Sequence, residues 1–211
     1  MSGEIEAVTP VDPPICFLWH LFLKRQSLDF VATLLLLTTF VVGGSANANE
    51  NQFEGKVIFL RHALAPGNGD PKNFDLNDCH TQRNLDETGR QQARSIGKHI
   101  AAAELDLAGI YSSEWCRCLE TAHLLNLGAV TPFDGLNSFY QRRSKKDTTM
   151  AKLQSKLDSL PRNGKPVIMV THYVTIQAIA NIAVPSGGVV LYDLDTGSAR
   201  KLPHAAFIPR P

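Results

Sequence analysis

Two short runs, Lys56-Val-Ile-Phe-Leu60 and Val167-Ile-Met-Val-Thr171, are apolar at every interior position. That is the pattern of strands buried on both faces, not of strands with one wet face. Between them the period changes. Asp86 stands where a helix cap is expected, and Ala93, Ile96, Gly97 and Ile100 follow at helical spacing. Gly109-Ile-Tyr-Ser112 predicts a second strand, and Ser113 is placed to cap a helix that buries Cys118, Ala122 and Leu125. A third strand is expected over 129–133 and an amphipathic helix over 148–160, ended by Pro161-Arg-Asn-Gly-Lys-Pro166. A helix over 175–182 and a hairpin of 189–194 with 199–202 complete the order.

Strands alternating with helices require crossover connections, and these predict a three-layer α/β/α sandwich around a mainly parallel sheet. Sites in such sheets form beyond the carboxyl ends of the strands. The two most apolar strands each run into a histidine there, as Leu60-Arg61-His62 and Val170-Thr171-His172.

The N-terminus has a different pattern. Lys24 and Arg25 precede the apolar run Phe30–Val42, and Ala46-Asn47-Ala48 follows it. A basic segment, a short apolar core and an Ala-x-Ala site read as a secretory signal peptide. The run is short of the roughly 20 residues of a membrane span; an uncleaved inner-membrane anchor is the alternative. The expected division is residues 1–48 as extension and signal, and 49–211 as one domain, periplasmic or secreted. Residues 1–23 are an unusual prefix for a signal, and a start assigned too far upstream is one reading.

Charge narrows the partners. With 21 basic and 20 acidic residues the chain has no field that argues for nucleic acid. Arg142-Arg-Ser-Lys-Lys146 reads as a solvated loop, or as an attractor of anionic substrates and lipid surfaces. In an oxidising compartment Cys79 can pair with Cys116 or with Cys118, leaving one thiol free. No CxxC pair supports zinc.

Arg61 turns the first histidine into a candidate site. A guanidinium at the end of a buried strand is costly unless an anion meets it. His172 precedes a helix, whose first N–H groups also favour an anion. Arg117, near the start of its own helix, would be a third basic group beyond the strand ends, although alone it reads as a solvated residue.

Four segments then resemble one family in its own order. Arg61-His62-Ala-Leu-Ala-Pro-Gly-Asn68 resembles the Arg-His-Gly-x-x-x-x-Asn signature of the histidine phosphatase (phosphoglycerate mutase-like) superfamily, with Ala63 in place of the usual Gly. Leu85-Asp86-Glu-Thr-Gly89-Arg-Gln-Gln92-Ala93 is similar to its Leu-Thr-x-x-Gly-x-x-Gln-Ala segment. Ser112-Ser113-x-x-x-Arg117-x-x-x-Thr121-Ala122 and Val170-Thr171-His172 resemble its arginine and second-histidine motifs.

The resemblance implies a phosphomonoester hydrolase with His62 as nucleophile, forming a phosphohistidine. Arg61, Arg117 and His172 would hold the phosphoryl oxygens, and Asn68 would add a hydrogen bond. It implies no cofactor and no metal. Asp70 and Asp134 are the rival general acids, either of which reads equally as a turn residue. Arg83 either contacts substrate or pairs with Asp75 or Asp78. The expected substrate is a phosphorylated small molecule or a lipopolysaccharide-type core sugar, with the membrane involved only through an uncleaved N-terminal segment. The competing expectation is a catalytically silent envelope protein that keeps the fold and an anion pocket.

Overall fold

The computed structural model describes residues 52–207. The signal-peptide expectation and its Ala46-x-Ala48 site lie outside the described residues. Six strands form one sheet: β1 Lys56–Arg61, β2 Gly109–Ser112, β3 Val130–Pro132, β4 Val167–Thr171, β5 Val189–Asp193 and β6 Ala199–Leu202, in the spatial order β3-β2-β4-β1-β5-β6. The four strands β3, β2, β4 and β1 are mutually parallel; β5 is antiparallel to β1, and β6 is antiparallel to β5. Among the described residues the α-helices are α1 Glu87–Ala101, α2 Cys116–Leu124, α3 Lys146–Ser159 and α4 Tyr173–Ala180.

Alternation along the central strands divides the core into two layers. Ile58 and Leu60 of β1, Ile110 of β2, and Ile168 and Val170 of β4 pack with Ile96 and Ile100 of α1 and with Cys118 and Ala122 of α2. On the opposite face Val57, Phe59, Val167 and Met169 pack against Leu153 and Leu157 of α3 and Ile176 of α4. Central strands covered on both faces must be apolar at consecutive positions, so the continuous runs were the right sign.

The Asp86 cap is present: its carboxylate accepts the Gly89 N–H at 2.7 Å. Ser113 does not cap α2. That helix begins later, at Cys116 behind Trp115, and no side chain caps it. Helix α4 starts at Tyr173, directly after His172, two residues earlier than the pattern suggested.

Of the two pairings open to Cys79, the structure takes Cys116, with Cα atoms 5.7 Å apart; Cys118 stays a buried free thiol. The bridge ties the loop before α1 to the first residue of α2. It closes a separation of 37 residues, for which chain entropy gives a stabilisation of about 3–4 kcal/mol. Cys79→Ser, or reduction of the wild type, is expected to lower the thermal midpoint in a denaturation scan. An unchanged midpoint would show that the bridge does not stabilise the fold.

Candidate active site

Strands β1 and β4 are parallel neighbours with Arg61 opposite Thr171, so the residues that follow each strand emerge side by side. The His62 N–H donates to the Thr171 carbonyl at 2.9 Å. The two imidazoles meet edge to face, with ring centroids 5.5 Å apart. Both rings are buried.

The orientation of His62 is set by its neighbour. Its Nδ1 lies 2.8 Å from the Ala63 carbonyl oxygen, which can only accept, so Nδ1 carries the proton. The lone pair is therefore on Nε2, the nitrogen free to attack. Burial first, and then the nearby Arg117, Arg83 and Arg61 guanidiniums, push the His62 pKa down to about 3. His172 is also held well below its ordinary value, by burial and then Arg117. Both rings are thus neutral at pH 7.

The segment after His62 is gripped from two helices. Thr121 Oγ1 of α2 accepts the Ala63 N–H at 3.0 Å and donates to the Arg117 carbonyl at 2.6 Å. Gln92 of α1 accepts the Leu64 N–H at 2.9 Å through Oε1 and donates to the Ser186 carbonyl through Nε2. Gly89 is required for this approach, because a Cβ there would fall on the Leu64 carbonyl oxygen. The Gly-x-x-Gln-Ala and Thr-Ala segments thus serve as supports of the nucleophile loop.

Arg117 is buried beyond the strand ends and paired with Asp70. Its Nη1 and Nη2 donate to the two Asp70 oxygens at 2.8 and 3.1 Å, a bidentate geometry. Trp115 Nε1 and the Arg83 backbone N–H also donate to that carboxylate. Burial alone would raise the Asp70 pKa, but Arg117 and these donors hold it below the usual carboxylate range. Asp70 is therefore ionised and has no proton to give. The sequence-level expectation of Asp70 as a general acid is corrected on this ground; its carboxylate is occupied in orienting Arg117.

Asp134 is also corrected. It stands in a short 3-10 turn, half exposed and paired with Lys152, and it does not line the pocket. Arg83 pairs with neither Asp75 nor Asp78. Its guanidinium donates to the Ala65 carbonyl and, at 2.9 Å, to the Gly69 carbonyl, and it reaches the pocket. Asn68 is at the rim, with Nδ2 donating to the Tyr140 hydroxyl at 3.2 Å.

The resulting cavity has a volume of about 110 Å³. Arg61, Arg83, Arg117, His62 and His172 line it, and Tyr173 and Val174 bring the first residues of α4. Three guanidiniums face one neutralising carboxylate. Among the described residues, Nε of Arg61 and Nε of Arg117 are buried without a hydrogen-bond partner. Such an excess of positive charge and unspent donors matches a tetrahedral oxyanion.

The depressed histidines carry a stability prediction. Their pKa values lie lower in the folded than in the unfolded chain, so below about pH 6.5 the unfolded chain binds the extra protons. Stability is expected to fall as pH drops from 6.5 towards 3, by about 1.4 kcal/mol per pH unit for His62, with His172 acting in the same direction. Denaturant unfolding at pH 7 and pH 5 measures it. His62→Gln should flatten the dependence; an equal slope in the variant would mean that His62 is not buried neutral.

Comparison with known proteins agrees with this arrangement. The family model described as "Histidine phosphatase superfamily (branch 1)" matches residues 57–140, from β1 through the first histidine and α2 to the pocket rim. Within that span the chain is similar to the histidine phosphatase superfamily. No curated protein sequence matches the chain significantly. Among solved structures, the Thermus thermophilus protein TTHB049 aligns with TM-score 0.50 and 14% identity, covering 70% of this chain and 99% of that one. A putative phosphohistidine phosphatase SixA from Agrobacterium tumefaciens is 22% identical with TM-score 0.49, over 70% of this chain and 95% of its own. The protein histidine phosphatase SixA complexed with tungstate is 12% identical with TM-score 0.49, over 70% of this chain and 94% of that one.

Arg61, His62, Arg117 and His172, the charged and imidazole residues of the three chemistry-bearing motifs, all lie in this pocket. Four contributors were not legible as such. Trp115 packs edge-on against His172, with centroids 5.3 Å apart, while bonding Asp70. Gln82 is buried and accepts the Cys116 N–H at 3.0 Å. Ser113 and Asn137 bond around His172. Only Ser113 lay within a motif, and there it read as a helix cap.

Proposed function

We propose that this protein is a histidine phosphatase, a phosphomonoester hydrolase acting through a phosphohistidine on His62. The observation that carries the reading is the His62 tautomer: an Nε2 lone pair in a buried pocket lined by Arg61, Arg83, Arg117 and His172. Neutral Nε2 attacks phosphorus in line, and the ester oxygen departs as the P–N bond forms. The guanidiniums stabilise the charge on the equatorial oxygens. Water then attacks the phosphohistidine, releasing inorganic phosphate and regenerating the neutral ring. The cations of this scheme are side chains, so the reaction is proposed to run without a metal, and chelation is expected to leave the rate unchanged.

With Asp70 ionised and Asp134 outside the pocket, no candidate carboxylic acid faces the leaving group. Substrates with good leaving groups are therefore favoured. The same fact lends some support to a second reading, a silent anion-binding protein. The N-terminal pattern points to an envelope substrate, a phosphorylated small molecule or a lipopolysaccharide-type sugar phosphate. Hydrolysis of p-nitrophenyl phosphate, followed by a panel of phosphate esters, tests the reading. Turnover with a base-stable, acid-labile phosphoenzyme is expected; saturable phosphate binding without turnover would leave the silent reading standing.

A further inference from the structure

The hydrogen bonds behind His172 form a chain in which every proton can be assigned. Asn137 Nδ2 donates to Glu114 Oε2 at 2.6 Å, and a carboxylate oxygen accepts. Asn137 Oδ1 accepts the Glu114 backbone N–H at 2.9 Å. These two contacts admit one orientation of the amide. The Ser113 hydroxyl is 3.0 Å from that Oδ1, so its single proton is directed there. Ser113 Oγ also accepts the Trp115 N–H at 3.4 Å. At the 2.8 Å contact between Ser113 Oγ and His172 Nε2, the serine has no proton left to give. The proton in that contact must belong to the histidine. Cys118 Sγ, 3.4 Å from Nε2 and 3.9 Å from Nδ1, directs its thiol proton to the Thr171 carbonyl at 3.7 Å.

We infer that Asn137 is a positioning residue: through Ser113 it holds His172 as the Nε2–H tautomer and reserves Nδ1 for the substrate phosphate. The two site histidines are then held in opposite tautomers. His62 is protonated on Nδ1 by the Ala63 carbonyl, and His172 on Nε2 by the Ser113–Asn137–Glu114 chain. This matters because a ring free to exchange tautomers would present the wrong nitrogen part of the time. All three partners lie outside the shell that touches substrate, since Glu114, Ser113 and Asn137 do not line the pocket. The catalytic consequence rests on the proposed hydrolase function; the tautomer assignment does not.

Long-range proton–nitrogen correlation spectra of ¹⁵N-histidine-labelled full-length protein, with His172→Gln for assignment, read the protonated nitrogen directly. Wild-type His172 is expected to show protonated Nε2 and bare Nδ1, with His62 showing the reverse. Asn137→Ala should give exchange between the His172 tautomers and a roughly 10-fold lower kcat on p-nitrophenyl phosphate, with KM little changed, as for loss of a residue that orients a functional histidine. Glu114→Gln, whose side-chain oxygen can still accept from Asn137, should retain the wild-type pattern. A protonated Nδ1 in wild-type His172, or an unaltered pattern in folded Asn137→Ala, overturns the assignment. Should Asn137→Ala not fold, the wild-type spectrum alone decides it. Opposite tautomers in a wild-type protein that hydrolyses nothing would instead reject the function and leave the assignment intact.

Discussion

His62→Ala is expected to abolish turnover, with kcat lower by about 10⁴–10⁶-fold, the scale of removing the nucleophile from a covalent mechanism. The Ala63 carbonyl takes the Nδ1 proton of His62 and leaves the lone pair on Nε2. The variant loses the group that forms the P–N bond but keeps the cations that bind the anion. Inorganic phosphate should therefore still bind, measurable by calorimetry. Acid-quenched wild-type enzyme shows no label, because phosphohistidine is acid-labile, whereas base-quenched wild type retains it and base-quenched His62→Ala does not. Retention of label or of substantial turnover in the variant would assign the nucleophile elsewhere.

Asp70→Asn is the second large effect, and its sign separates two roles of one residue. The Asp70–Arg117 pair is buried and bidentate, and removing one partner of such a pair costs about 3–5 kcal/mol because the remaining charge is left uncompensated. A clear loss of thermal stability is expected. Activity should fall as well, by roughly 10²–10³-fold, since Arg117 loses the contact that orients it towards the transition-state charge. The loss should be the same on alkyl and aryl phosphates. A general acid would instead be missed mainly on the alkyl ester, whose departing alkoxide needs a proton. Equal losses, with bound phosphate partly restoring stability to the variant, are the expected pattern; a selective loss on the alkyl ester would return Asp70 to the role of acid.

Bridge removal and the acid limb of stability are smaller effects that report on the supports of the same pocket. Reduction of the Cys79–Cys116 bond acts on the residue next to Arg117 and on the loop that carries Arg83.

By itself the sequence determined the parts that depend on local period and order. Continuous apolar runs located β1 and β4, because a strand covered on both faces cannot alternate. Asp86 marked the start of α1, because a capping carboxylate is a local interaction. The four ordered motifs pointed to Arg61, His62, Arg117 and His172; the adjacency of β1 and β4 sets His62 beside His172, and Arg117 reaches the same pocket from α2. Only the tertiary structure decided which carboxylate does what. Asp70 and Asp134 are equally plausible turn residues in one dimension, but one meets Arg117 from 47 positions away and the other meets Lys152 at the surface. The same holds for the disulfide, where two cysteines one residue apart differ only in which way the start of α2 turns them. It holds again for Ser113 and Asn137, whose bonds to His172 and to each other span 59 and 24 positions. Proton placement on a histidine depends on the partner across such a gap, and linear order carries no record of that partner.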